Sequence, residues 1–219
     1  RCTHEKSQDY WSQSVSNGGA IGIYLCGNGN TIVEQNEVFE CDRGIGLCSE
    51  SYKLQTKDCI VRDNFVYNNF RTGIYMGAYL GFDGLSTKNC YVVNNTLFNN
   101  NLKGGQLDGT NNYLKVNDRD NSSEGEIRLS ELCEENVIAN NIIYAVSDRD
   151  IFIRKYTTSG KNNYIGGNIY FSPTKKNHKW IWDGKEYTDF SAWQAVSGDK
   201  TSVFDVDPLL KSTRLQQPD

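Results

Sequence analysis

Five asparagines decide most of what this chain can fold into. Asn36, Asn64, Asn95, Asn141 and Asn168 each head the same short phrase. Three residues before the asparagine stand Val33, Val61, Val92, Ile138 and Ile165; two after it, Val38, Val66, Leu97, Ile143 and Tyr170; three after it, Phe39, Tyr67, Phe98, Tyr144 and Phe171. The asparagines follow one another at intervals of 28, 31, 46 and 27 residues. Three intervals sit near one length, and the remaining one carries an insertion. Agreement at three aligned positions in five copies marks an internal repeat, and a repeat of this period means a stacked architecture.

Within each copy the apolar residues alternate with period two, which requires strands rather than helices. Short strands joined by Asn and Gly turns, recurring once per repeat, predict coils that stack in parallel about 4.8 Å apart. Equivalent residues then lie above one another. Stacked asparagine amides, each both donor and acceptor, can bond along the column. Five residues before the marker come Thr31, Cys59, Cys90, Asn136 and Asn163, so Cys59 and Cys90 are expected as inward neighbours in adjacent coils. Cys26 and Cys48 end the matching strands "GIYL" and "GIGL", where adjacent strands bring Cα atoms within disulfide range.

These repeats resemble the right-handed parallel β-helix superfamily, which includes pectate-lyase-like polysaccharide lyases and several glycoside hydrolase families. The likeness covers about residues 17 to 173. It implies an all-β fold, a right-handed parallel β-helix, with a substrate groove along the outward face of one sheet. Residues 1–173 are expected to form the coils, with an insertion at about 102–124. Residues 174–219 break the pattern. Their "KWIWDGKEYTDFSAWQAV" holds Trp180, Trp182, Tyr187, Phe190 and Trp193 and is read as a cap on the last coil, with a short helix from Thr188 through Ala195. Sugar stacking on the tryptophans is the alternative for this tail.

Composition narrows the function classes. The formal net charge is −4 with no Lys/Arg cluster, which argues against a nucleic-acid partner. No apolar run approaches the roughly 18 residues of a membrane span. Asparagine, 24 residues in all, is over-represented in a way that suits turns. The chain starts at Arg1 without an initiating Met or a signal peptide and is read as a piece of something longer, expected to act as a monomer.

The second strand of each repeat offers the candidate site: Gly22-Ile23-Tyr24-Leu25, Gly44-Ile45-Gly46-Leu47, Gly73-Ile74-Tyr75-Met76, Gly125-Glu126-Ile127-Arg128-Leu129, and Asp150-Ile151-Phe152-Ile153. "GGQL" (residues 104–107) competes for the fourth place, but the "GEIRL" spacing is preferred. In that alignment one outward column ends in Glu126 and Asp150. Carboxylates one strand apart repel, one retains its proton, and the pair resembles the two carboxyls of a retaining glycosidase. Arg128 and Arg154 would moderate the repulsion or hold an acidic sugar, while Tyr24, Tyr75 and Phe152 would supply a stacking strip. Asp118, Asp120 and Glu124 in the insertion are hard oxygen ligands that could take calcium, though no cofactor is required. β-Helix lyases use a Lys or Arg to abstract the proton beside a uronate carboxylate, so the resemblance also implies a lyase role for Arg154 or Lys155. The expectation is therefore a carbohydrate-active domain that binds or cleaves an extracellular polysaccharide, with glycoside hydrolysis first and an extracellular or periplasmic bacterial setting. A polysaccharide lyase and a non-catalytic adhesion or surface solenoid are the alternatives.

Overall fold

A computed structural model describes residues 21–102, 124–146, 150–175 and 177–210. Three sheets carry the fold; five successive stretches of chain add one strand to each, and the last adds two strands to the first and one to the third. The first contains, in spatial order, β1 (Ile21–Cys26), β4 (Arg43–Cys48), β8 (Thr72–Met76), β12 (Ile127–Leu129), β15 (Ile151–Lys155), β18 (Lys179–Trp182) and β19 (Lys185–Tyr187). The second orders β2 (Ile32–Glu34), β6 (Ile60–Arg62), β10 (Tyr91–Val93), β13 (Val137–Ala139) and β16 (Tyr164–Gly166). The third orders β3 (Glu37–Phe39), β7 (Phe65–Tyr67), β11 (Thr96–Phe98), β14 (Ile142–Tyr144), β17 (Ile169–Phe171) and β20 (Val203–Phe204). A minor pair joins β5 (Thr56–Lys57) to β9 (Thr87–Lys88). Among these strands every pairing is parallel except β18 with β19. The fold is all-β, mostly parallel and built of many short strands, an arrangement compatible with a solenoid.

The corners explain the asparagines. Gln35, Asp63, Asn94 and Asn140 sit in the left-handed region, at φ between 55 and 57°. Each turns the chain by one residue before the marker Asn, and Asn and Asp tolerate that conformation better than other side chains. The marker asparagines then bond from coil to coil. Asn64 gives its backbone N–H (3.1 Å) and its side-chain Nδ2 (3.0 Å) to Asn95 Oδ1. Asn95 does the same to Asn141 and Asn141 to Asn168, while Asn168 passes its N–H to Ser202. Each buried corner donor thereby finds a partner that a hydrophobic side chain could not supply.

Between the ladders lies one continuous apolar column. Ile45, Ile74, Ile127 and Ile153 stack through the first sheet, Val61, Val92 and Ile138 through the second, and Val66, Leu97 and Ile143 through the third, all buried. Cys59 and Cys90 are buried beside this core as expected. The tail closes it. Trp180 and Trp193 are fully buried and stack at 5.8 Å, with Phe190 and Phe204 packed on them, so these two tryptophans are core residues and not a sugar platform. The helix α1 (Phe190–Ser197) starts one residue later than expected: Asp189, not Thr188, is its N-cap and accepts the Ala192 N–H at 2.8 Å.

Candidate functional site on the outer face of the first sheet

Register decides which side chains meet. Tyr24 pairs with Gly46, Gly46 with Tyr75, Tyr75 with Arg128 and Arg128 with Arg154. The "GEIRL" strand thus takes the fourth place, as the spacing suggested. The fifth strand, however, sits two residues further on than expected. Arg154, not Phe152, continues the outward column, and Phe152 is a core residue against Tyr170 and Trp180.

The column is built around an arginine cluster. Glu124 accepts from Arg43 Nε (2.9 Å) and Nη2 (2.6 Å) and from Arg128 Nη1 (2.7 Å), with Arg71 Nη1 at 3.9 Å. Asp42 accepts from Arg71 Nε at 3.1 Å and lies 3.7 Å from Arg43 Nη1. Burial alone would raise the Glu124 carboxyl, but Arg128, Arg43 and Arg71 outweigh it and hold it well below the usual carboxylate range. Tyrosines pack on the guanidinium planes: Tyr75 under Arg43 at 5.3 Å, and Tyr156 against both Arg128 (4.8 Å) and Arg154 (4.0 Å). Tyr75 lies flat over Gly46, where a methyl group would meet its ring at 2.4 Å, and reaches toward Tyr24, whose ring is 6.4 Å away. Tyr24 is 43% exposed and Arg154 half-buried, whereas Arg128 and Tyr75 are buried. Arg43, Arg71, Asp42 and Tyr156 were not singled out in the sequence. Their signal was "DRGIG" and "FRTGI", an arginine placed just ahead of two successive copies of the same strand.

Glu126 and Asp150 do not belong to this face. Both are buried. The Glu126 carbonyl accepts from the N–H groups of both Gly73 (3.1 Å) and Ile74 (3.0 Å), and its side chain is buried although simple alternation would point it out. Its carboxylate accepts from Asn100, and burial, with a smaller contribution from Asp150, raises its pKa to about 8. Asp150 accepts from Ser172 and Thr174. The outward carboxylate pair is therefore replaced by an internal one.

Lys155 is also drawn in, ion-paired to Asp183 and 5.6 Å from the Trp182 ring. Asp118 and Asp120 of the calcium expectation lie outside the described residues, and Glu124 is engaged by arginines. Among the described residues no group of three or more His, Cys, Asp or Glu side chains is placed to hold a metal ion. Among them, too, no helix is long and apolar enough to cross a membrane.

Comparison with known proteins gives one sequence relationship. The chain is 30% identical over 195 residues to the uncharacterized protein YwoF of Bacillus subtilis (strain 168). The alignment takes in 88% of this chain but spans only 37% of that protein's length. No family model matches, and no solved structure matches.

Proposed function

We propose that the chain is a right-handed parallel β-helix of the pectate-lyase-like kind, and that the outer face of its first sheet binds an acidic polysaccharide. One observation carries this reading. Arg43, Arg71 and Arg128 gather around Asp42 and Glu124, and Arg154 stands beside Arg128 in register, with tyrosine rings on the guanidiniums. In a protein of net charge −4, four guanidiniums on one face make a local concentration of positive charge. Guanidinium forks match carboxylate and sulfate geometry, and the exposed face of Tyr24 suits the C–H face of a sugar ring. Arg154, only half-buried at the end of the column, is the residue through which a sugar acid would make first contact.

Binding comes before cleavage in this reading, because Glu126 and Asp150 are enclosed. Arg154 could also act as a base beside a uronate carboxylate, which makes β-elimination the second reading. An extracellular or periplasmic location follows from a polysaccharide ligand.

The test is affinity electrophoresis and calorimetry with polygalacturonate, alginate and a neutral glucan. Salt-sensitive binding to the acidic chains, weakened about tenfold in Arg154→Ala, is the expected result, corresponding to about 1.4 kcal/mol for one charge-assisted contact. Binding confined to the neutral glucan, or no binding at all, defeats the proposal. New ultraviolet absorbance from an unsaturated uronide product would move it to the lyase form.

A further inference from the structure

We propose that Cys26 and Cys48 form a redox-reactive dithiol that small-molecule disulfides oxidise to a staple between the first two strands of the first sheet. Cys26 and Cys48 are direct partners in the parallel register of β1 and β4, as are Leu25 and Leu47 beside them. Leu25 and Leu47 are buried in the core, so both cysteines turn together to the opposite face. Neighbouring strands stand about 4.8 Å apart, inside the range of Cα separations that disulfides span. Both thiols are free in this structure.

Access at one end distinguishes this pair: Cys26 is exposed, while its partner Cys48 is buried. Cys59 and Cys90 also neighbour each other, but both are fully buried, as is Cys133, and Cys41 is buried too. Cys26 alone among the described cysteines is exposed. It also ends the outermost described strand of its sheet, and the Gly27 N–H that follows it reaches the Cys48 carbonyl at 3.3 Å, which holds the two strand ends together.

The chemistry proceeds in two displacements. The Cys26 thiolate attacks a small disulfide RSSR, forming Cys26–S–SR and releasing RS⁻. Cys48 then gives its proton to solvent or to the released RS⁻ and attacks the Cys26 sulfur, and the second RS⁻ leaves. Two protein thiols are oxidised and one RSSR is reduced to two thiols. Burial pushes the Cys48 thiol up to about 12, even though Tyr75, Arg43 and Arg128 favour its anion, so the second step is slow and speeds up as pH rises.

Folded protein is incubated with oxidised glutathione at pH 8, then denatured, alkylated and mapped by mass spectrometry. The expected outcome is loss of two alkylation sites, a Cys26–Cys48 linked peptide, and a rise in Tm that dithiothreitol reverses. Cys48→Ser should stop at a glutathione adduct on Cys26, and Cys26→Ser should resist oxidation. Phenylarsine oxide, which bridges two thiols only when they are close, should protect both cysteines of the untreated folded protein. A wild type that halts at the Cys26 adduct, links Cys26 to another cysteine such as Cys2, or leaves Cys48 unprotected by the arsenical overturns the proposal.

Discussion

Asn100 gives two hydrogen bonds to Glu126, its backbone N–H to Oε1 at 2.9 Å and its Nδ2 to Oε2 at 2.6 Å. One coil earlier, Asn69 gives the same two bonds to the amide oxygen of Asn100, and Cys41 gives its N–H to Asn69. The residue that would continue this ladder by repeat position is Val146, which has nothing to accept with. Glu126 reaches in from the next strand and supplies the missing oxygen.

That substitution has a pH signature. An unfolded glutamate titrates near 4.3, the folded Glu126 at about 8. Between those values the native state holds a proton that the unfolded state has released, so this residue's contribution falls as pH rises and is lost above about 8. A glutamine can accept both Asn100 donors on one oxygen, as the ladder asparagines do, and carries no charge to bury. Glu126→Gln should match wild type near pH 4 and exceed it at pH 8 to 9, by roughly 5 kcal/mol. Urea denaturation across pH 4–9 measures this, and parallel wild-type and variant profiles would refute it.

Glu124 should behave in the opposite sense. Its folded pKa is depressed, so its stabilisation is present above the unfolded value and lost as pH falls. Glu124→Gln leaves Arg43, Arg71 and Arg128 around a neutral group, at a cost of about 3–5 kcal/mol at pH 7. The deficit should shrink steadily below pH 5. A deficit independent of pH would mean that shape, not charge, is what the arginines require.

The marker ladder should be weakest at its end. Asn95→Ala removes the oxygen that takes two bonds from Asn64 and the donor to Val61, Val93 and Asn141. With several buried groups orphaned, a loss of about 3–4 kcal/mol is expected. Asn36 is only half-buried and its backbone N–H would still reach Asn64, so Asn36→Ala should cost about 1 kcal/mol. Equal losses in thermal unfolding would show that the two rungs are not graded by burial.

How much of this was readable beforehand differs between ladder and site. The marker column was legible because five asparagines hold one position and their neighbours alternate. The column through Asn69 and Asn100 was not, since Cys41 begins it and Glu126, from another part of the repeat, ends it; asparagines five apart (64 and 69, 95 and 100) were its only trace. The strand at 150–155 was misread by two residues because such a slip leaves Ile151 and Ile153 on the same face, while the inward place of Phe152 breaks the alternation beside a register shift between Ile151 and Arg154. Asp150-Ile151 imitates the Gly-Ile start of earlier copies, and only pairing with β12 shows that Ile153 is the true equivalent. The inward turn of Glu126 departs from strict alternation and ends a side-chain ladder, which no periodicity records.

Gly46 and Tyr75 supply the sharpest test of how the outer face is assembled. An added Cβ at Gly46 would meet Tyr75 at Cε1 (2.4 Å), Cζ (2.7 Å) and Oη (2.9 Å), all side-chain atoms. Gly46→Ala should therefore push the ring off β4 and away from Arg43, costing about 1–3 kcal/mol. Tyr75→Ala removes the obstacle along with a buried ring. In the double variant the alanine methyl has space, so its loss should be smaller than the two single losses added together. Gly44 is the control. There an added Cβ would meet the backbone carbonyl of Gly73 at 2.4 Å, and no truncation of Tyr75 can relieve that clash. Gly44→Ala should be additive with Tyr75→Ala, while Gly46→Ala should show coupling of at least about 1 kcal/mol in chemical denaturation. Additivity at both glycines would mean that Tyr75 does not lie over β4, and the outer face would have to be redrawn without it.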